Sequence, residues 1–367
     1  MKFLLPLALL TACAAPTARY PVDTEIAFTS LRSTVDSGLA ARYLARDPDS
    51  LLRIAAIEQK YDERALGNDQ LRALADETST DFATVYFARR ILSVPRHCDI
   101  QKRFAETLKR LGASQPTSID RLSRDTYTFA FVPGLFYDSR PENGAAMTIT
   151  RDVLDARGFT TYLVPTGETS SVEQGARVLA DYLREARKSG RKIILTSASK
   201  GGADVAYALG HLLKGENLDH VHGWVSIGGV LRGTPLADIG LTFPSNLLLA
   251  LTGWAHGTSL AVARDLSTPV GIPRAESCQL PEHIQVLHYI GVPLSGTVSS
   301  KVRGNYDSMR PYGPNDGVTL LADEILPQGH VVLAIGADHR FVDPRTDLKT
   351  LALASLIVEL VDEAARD

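Results

Sequence analysis

The feature that most constrains the fold is a change of pattern near residue 126. In residues 20–125 the apolar residues are spaced almost entirely as in helices. From residue 126 onward, short apolar runs alternate with helical stretches. The runs with the length of buried strands are TFAFVPG, FTTYLVP, KIILTSA, GWVSIGG, IQVLHYIGV and HVVLAIGA. Apolar strands that alternate with helices are typical of a mostly parallel sheet covered by helices on both faces, so the sequence predicts an α/β fold.

The region before this sheet, residues 13–125, is predicted to be a helical extension. Stretches such as STDFATVYFARRILSV and DIQKRFAETLKRLG place apolar residues on one face and charged residues on the other. We expect four or five short helices that pack on the sheet domain, residues 126–367. No residue pattern in the extension indicates chemistry.

The N-terminus has the pattern of a bacterial export signal. Lys2 precedes an apolar core, residues 3–10, that is too short to span a bilayer. The core ends in LTAC, which resembles a lipobox, so residues 1–12 are predicted to be removed and Cys13 to carry the lipid. By the same resemblance, Ala14 after the cysteine indicates anchoring in the outer membrane, facing the periplasm. The alternative is an ordinary secretory signal with an incidental cysteine.

Two further cysteines, Cys98 and Cys278, lie far apart in the sequence. In an oxidising periplasm they could form a disulfide that joins the helical extension to the sheet domain. The alternative is a pair of buried free thiols, and the sequence favours neither.

The run KIILTSA ends in SASKG, where a strand must turn sharply into a helix. Such a turn crowds the backbone, so it needs small residues on either side of its centre, and Ser197 and Gly201 meet this need. Ligands bind beyond the carboxyl ends of parallel strands, which places Ser199 where chemistry is expected. Ser199 is therefore predicted to be a nucleophile rather than an ordinary turn serine.

A serine nucleophile needs a base and an acid that orients the base. His339 directly follows the last predicted strand, whereas His330 opens that strand and would lie at its opposite end. The connection before that strand offers Asp307, Asp316 and Asp323 as the acid. Asn315–Asp316–Gly317 is also a natural tight-turn sequence, so position alone leaves the acid open.

These motifs resemble those of the α/β-hydrolases, and of bacterial lipases in particular. SASKG is similar to the nucleophile elbow, with Ser197 in place of the usual first glycine, and NDGV followed some twenty residues later by a histidine is similar to the lipase acid segment. The resemblance implies an α/β-hydrolase fold and a triad of Ser199, Asp316 and His339, with Asp307 as the runner-up for the acid.

An acyl-transfer site also needs donors for the oxyanion. The backbone N–H of Lys200 follows the nucleophile and is the first candidate. The second is the Leu135 N–H, in the loop after the first strand of the sheet. Related lipases have His-Gly here, whereas this chain has Pro133-Gly134, so Phe136 is a substitute donor and a plain Pro-Gly turn is the alternative.

A long insertion, residues 236–283, follows the segment IGGVLRGTPLADI, which resembles the start of the cap in bacterial lipases. The insertion contains the apolar run NLLLALTGW. It is predicted to be a cap or lid over the site, with a core helix as the equally favoured alternative.

Charge and motif content exclude several classes of function. The formal net charge is -3 with no basic run, so nucleic acid is not expected as a partner. No Gly-x-Gly-x-x-Gly follows a strand and no His/Cys set has zinc spacing, so no cofactor or metal is expected. The sequence predicts a serine hydrolase of carboxylic esters, with a lipid ester as one candidate substrate. The alternatives are an amidase, thioesterase or acyltransferase with the same triad, or a noncatalytic envelope lipoprotein that uses the fold as a binding scaffold.

Overall fold

A computed structural model describes residues 19–62, 67–122, 126–242 and 260–366. The strands of this part of the chain are β1 (Tyr20–Ile26), β2 (Thr29–Val35), β3 (Tyr127–Val132), β4 (Thr160–Leu163), β5 (Lys192–Ala198), β6 (Val221–Ile227), β7 (Gln285–Val292) and β8 (Gly329–Ile335). Strands β3 to β8 form one sheet in the order β4-β3-β5-β6-β7-β8, and every neighbouring pair is parallel. The predicted parallel sheet is confirmed.

Helices connect and cover the strands. Those of the N-terminal region are α1 (Gly38–Ala45), α2 (Leu51–Asp62), α3 (Asn68–Glu77), α4 (Thr80–Ser93), α5 (Pro95–Gly112) and α6 (Ser118–Arg121). Those that follow are α7 (Thr148–Ala156), α8 (Val172–Lys188), α9 (Lys200–Tyr207), α10 (Pro235–Leu241), α11 (Leu260–Asp265), α12 (Thr268–Glu276), α13 (Arg303–Met309) and α14 (Thr346–Ala364). A π-helical turn over Ala208–Leu212 extends α9. No helix of the described residues is both long and apolar enough to cross a membrane.

The sheet has a hydrophobic core on each face, and strand β5 shows the division. Ile194 belongs to the core that contains α14, whereas Ile193 and Leu195 belong to the core that contains α8 and α9. Successive side chains of a strand point to opposite faces, so these two cores lie on opposite sides of the sheet. Helices therefore cover both faces, as the sequence predicted.

The N-terminal region is not helical throughout, and the expectation of an all-helical extension is wrong at its start. Strands β1 and β2 form an antiparallel hairpin whose two turn residues, Ala27 and Phe28, have positive φ values of 52° and 59°. Neither residue is of a type that favours this conformation, so the sequence carries no turn signal. Leu31 and Val35 are four residues apart, which fits one face of a strand as well as one face of a helix.

Helix α5 lies along β8, the strand at one edge of the sheet. The Gln101 side chain accepts a hydrogen bond from the Leu333 N–H (2.7 Å) and donates one to the Leu333 carbonyl (3.3 Å), and His97 Nδ1 accepts from the Val331 N–H (3.3 Å). These side chains use backbone groups that an edge strand otherwise leaves unpaired. Leu333 also shares a hydrophobic core with helices α1 to α4, so the N-terminal region packs directly on the sheet.

The two cysteines are free, and the disulfide alternative is wrong for this structure. Cys98 lies on α5, beside edge strand β8. Cys278 lies against α9 and its π-helical extension, where its thiol donates to the Ala206 carbonyl (3.3 Å) within the core that covers β5 and β6. Strand β7 and edge strand β8 separate the two positions, so the thiols cannot meet at bonding distance.

Candidate active site

Ser199 stands at the turn between β5 and α9, with φ 53° and ψ −124°. The turn is possible because glycines admit close backbone contacts around it. A Cβ atom at Gly201 would lie 2.2 Å from the Val132 carbonyl oxygen, and one at Gly202 would lie 2.9 Å from Gly229 Cα. The strained serine is thus raised above the carboxyl edge of the sheet, as the SASKG pattern predicts.

Ser197 replaces the usual first glycine of this turn for a reason visible in the structure. Its hydroxyl is fully buried and accepts a hydrogen bond from Trp224 Nε1 (2.8 Å). Trp224 lies on neighbouring strand β6 and is also fully buried, so its indole N–H needs an acceptor. A glycine at position 197 would leave that donor without this partner.

The structure brings together the three residues of the predicted triad. His339 Nε2 lies 3.0 Å from Ser199 Oγ, and His339 Nδ1 lies 2.5 Å from Asp316 Oδ2. His339 lies between β8 and α14, and Asp316 lies in the connection between β7 and β8. An imidazole with a hydroxyl on one nitrogen and a carboxylate on the other can accept a proton from the hydroxyl and be stabilised when charged.

Asp316 is fixed by backbone donors. Its Oδ1 accepts from the Val318 and Thr319 N–H groups, both at 2.8 Å, while its carbonyl accepts from the His339 N–H (2.9 Å). The other two candidates do not contact the histidine: Asp307 is exposed on α13, and Asp323 accepts a hydrogen bond from Asn68 Nδ2 (2.8 Å).

The predicted oxyanion donors lie on two sides of Ser199. A Cβ at Gly134 would lie 3.0 Å from Ser199 Cβ, so the loop after β3 passes close beside the nucleophile. The Phe136 N–H donates to the Glu168 carbonyl (3.0 Å), which removes Phe136 as the substitute donor. Within the part of the chain that the structure describes, the N–H groups of Leu135 and Lys200 donate to no protein acceptor.

Sequence reasoning missed an ion pair directly behind the nucleophile. Lys200 Nζ lies 2.8 and 2.7 Å from the two carboxylate oxygens of Asp204, and both side chains are almost completely buried. Burial raises the pKa of Asp204 to about 7, against the opposing effect of the lysine charge. Gly175 of α8 makes room for the carboxylate, since a Cβ there would lie 2.4 Å from Asp204 Oδ2. The spacing of four residues is also that of a surface pair on a helix, so no sequence pattern indicates that this pair is buried.

A small apolar cluster adjoins the site. Its buried members come from α8, α9, the loop after β6, α11 and the residue that follows α11: Val172, Ala203, Val230, Val262 and Leu266. Leu135, in the loop after β3, and Val318, two residues after Asp316, pack against it. The cluster therefore places apolar surface beside the reacting groups.

Some predicted features lie outside the described residues. They are Cys13 and the signal segment before it, and the run NLLLALTGW within the predicted cap. The described parts of the insertion, residues 236–242 and 260–283, contain helices α10, α11 and α12. Among the described residues, no group of three or more His, Cys, Asp or Glu side chains is arranged to hold a metal ion.

Comparison with solved structures identifies the fold. A metagenomic carboxyl esterase superposes with a TM-score of 0.53 at 22% identity, over 66% of this chain and 77% of that chain. The mature lipase BlEst2 of Bacillus licheniformis superposes with a TM-score of 0.52 at 20% identity, over 65% of this chain and 93% of that chain. No family model matches the sequence, and no curated protein does. The parallel sheet and these neighbours together show that the chain has the α/β-hydrolase fold, as its motifs implied.

Proposed function

We propose that this protein is a serine hydrolase of carboxylic esters. The observation that carries the proposal is the continuous hydrogen-bonded chain from Ser199 through His339 to Asp316. In the proposed reaction, Ser199 Oγ attacks the ester carbonyl while His339 Nε2 takes its proton. The N–H groups of Leu135 and Lys200 stabilise the oxyanion. His339 then returns the proton to the leaving alkoxide, and water resolves the acyl-enzyme by the same route.

The apolar cluster beside the site supports an ester with a hydrocarbon acyl chain. Leu135 and Val318 pack against this cluster, so an acyl group bound at the oxyanion donors has apolar surface within reach. The names of the two structural neighbours, a carboxyl esterase and a lipase, agree with this substrate class. Lipid esters belong to the same class and differ in chain length and head group.

A fluorophosphonate probe tests the nucleophile. The wild-type protein should be labelled, and Ser199→Ala should lose both labelling and hydrolysis of p-nitrophenyl esters of graded chain length. Ser189→Ala, an exposed serine at the end of α8, is the matched control and should keep both. A well-folded wild-type protein that resists the probe would favour the noncatalytic scaffold.

Exchange of the acid tests the remainder of the triad. Asp316→Asn should lower kcat by about 10⁴-fold, because the amide holds the imidazole in the wrong tautomer. Asp307→Asn should have little effect, because Asp307 is exposed and does not contact His339. The reverse ranking would move the acid to Asp307.

We also propose that the chain is a lipid-anchored envelope protein. The sequence LTAC at the end of the apolar N-terminal core supports this proposal. Cys13→Ala should release the protein from the membrane fraction, and retention of the variant there would contradict the anchor.

A further inference from the structure

Glu168 lies in the loop between β4 and α8 and contacts the loop that carries Leu135. Its carbonyl accepts from the Phe136 N–H (3.0 Å). Its carboxylate Oε2 accepts from the Ser139 N–H (2.8 Å) and the Asp138 N–H (3.3 Å). A single residue thus accepts hydrogen bonds from three backbone donors of the loop after β3.

The segment that Glu168 holds has a strained backbone. Phe136 has a φ of 57°, in the left-handed region that is unfavourable for a residue with a side chain and persists only where the surroundings enforce it. The Phe136 N–H is bonded to Glu168 and its carbonyl accepts from the Arg140 N–H (3.0 Å). On the other side, the Gly134 N–H donates to the Ala145 carbonyl (3.1 Å). Leu135 is therefore held between two fixed peptide groups.

The loop of Glu168 is also tied to the second oxyanion donor. Ser170 Oγ donates to the Thr166 carbonyl (2.6 Å), which folds the loop on itself. Lys200 Nζ donates to the same hydroxyl at 3.4 Å. The loop between β4 and α8 thus contacts Lys200 and, through Phe136, the residue next to Leu135.

We propose that Glu168 is a positioning residue that fixes the Leu135 N–H for oxyanion binding. This inference rests on the proposed function. The carboxylate suits the task because it is placed on two consecutive N–H groups and its charge strengthens both hydrogen bonds. Hydrogen bonds from the Ser139 N–H, and then from the Ser139 side chain and the Asp138 N–H, lower the pKa of Glu168. Its carboxylate is therefore ionised at neutral pH. The oxyanion forms only during the reaction. Loss of the Glu168 carboxylate therefore lowers kcat and leaves substrate affinity largely unchanged.

The test compares kcat and KM of Glu168→Ala and Glu168→Gln with wild type on a p-nitrophenyl ester. Glu168→Ala keeps the carbonyl that Phe136 bonds but removes the carboxylate that accepts from the Ser139 and Asp138 N–H groups. It should lower kcat by about 10- to 100-fold with KM within twofold, a fraction of the loss expected from removing a donor outright. Glu168→Gln keeps one acceptor oxygen but not the charge, so it should recover part of that loss and leave kcat about three- to tenfold below wild type. Glu173→Ala removes a nearby surface acid that pairs with Arg177, and should leave kcat unchanged.

Labelling with a fluorophosphonate separates the two proposals. In Glu168→Ala, Ser199 should still be labelled to completion but more slowly, and the melting temperature should stay close to that of wild type. Unchanged kcat in Glu168→Ala, or a rise in KM alone, would overturn the role of Glu168. If Glu168→Ala does not fold, Glu168→Gln decides: a three- to tenfold loss of kcat at constant KM supports the role and no loss overturns it. Failure of Ser199 itself to react would instead overturn the proposed function.

Discussion

The two ends of the proposed triad are built in different ways. The serine end, residues 195–204, is shaped by contacts among β3, β5 and α9, and its close approaches involve Val132, Gly134 and Gly201. The acid end, the connection over residues 293–328, is held by side chains from the distant N-terminal region. The proposed triad thus joins a turn that is shaped by neighbouring strands and helix α9 to a connection that is supported by a distant part of the chain.

The support of the acid end consists of buried polar contacts. Fully buried Asp81 of α4 accepts from both the N–H (2.8 Å) and the hydroxyl (2.6 Å) of Ser295. Arg310 donates to Asp36 at 2.7 Å, at the end of the hairpin. These contacts join residues more than two hundred positions apart, so they give the N-terminal region a role in placing the acid connection.

The largest expected effect concerns the ion pair at the serine end. Lys200→Met leaves the buried Asp204 carboxylate without its cation, which should lower the free energy of unfolding by about 3–5 kcal/mol at pH 8. The loss should shrink toward pH 5, because Asp204, whose pKa is already raised to about 7, then becomes neutral. Urea denaturation at both pH values measures this. The double variant Lys200→Met/Asp204→Leu should regain most of the stability, and a double variant as unstable as the single one would contradict this account.

The next effect tests the crowding of the turn. Gly201→Ala places a Cβ 2.2 Å from the Val132 oxygen and 2.7 Å from the Pro133 oxygen, so the backbone must move, at a cost of about 3 kcal/mol. Gly304→Ala on α13, at the acid end, meets no atom within 4 Å and is the matched control. It should be neutral or stabilise by up to about 1 kcal/mol. Thermal denaturation measures both variants. Equal losses of stability in Gly201→Ala and Gly304→Ala would show that the turn at Ser199 is no more tightly packed than α13.

At the acid end, Asp81 should make stability depend on pH. Burial, followed by the neighbouring Asp36 charge, raises the pKa of Asp81 to about 6 from its ordinary value of 3.8. The folded protein therefore binds this proton more tightly than the unfolded chain does. The resulting stabilisation of the fold is fully present below pH 4 and is lost as the pH rises through 6. Its size is about 2–3 kcal/mol.

Asp81→Asn removes that titration. The difference in free energy of unfolding between wild type and variant should therefore be largest near pH 4 and smaller at pH 7. A difference that grows with pH would show that the ionised carboxylate, with its bonds to Ser295, is the favoured form.

The smallest effect concerns Asn68 of α3, which donates to Asp323 in the acid connection (2.8 Å). Asn68→Ala should cost about 1 kcal/mol, the usual net value of one hydrogen bond. The variant should also raise the pKa of Asp323, which burial already raises to about 6 and which the amide lowers. A carbon-13 NMR titration of the Asp323 carboxyl follows this, and an unchanged pKa would remove Asn68 from the support.

The same contrast explains which features the sequence could predict. Local sequence patterns predict the parallel sheet, the turn at Ser199 and the place of His339. Each of these features depends on residues that are close together in the sequence. The ion pair of Lys200 and Asp204 is buried by α8, and the spacing of the two residues in the sequence does not indicate this burial. The hairpin at residues 20–35 lacks the turn residues that would have indicated it. The contacts of Asp81 and Glu168 join distant segments, and no local pattern identifies them.

Helix α5 has a consequence for how the chain could be divided. Gln101 and His97 occupy backbone groups of β8 that would otherwise be free to pair with a strand of another molecule. A fragment that began at residue 126 would keep every proposed triad residue but expose this edge together with the apolar side chains of Ile290 and Leu333. Such a fragment is expected to self-associate through this edge, so the N-terminal region protects β8 from pairing with a strand of another molecule.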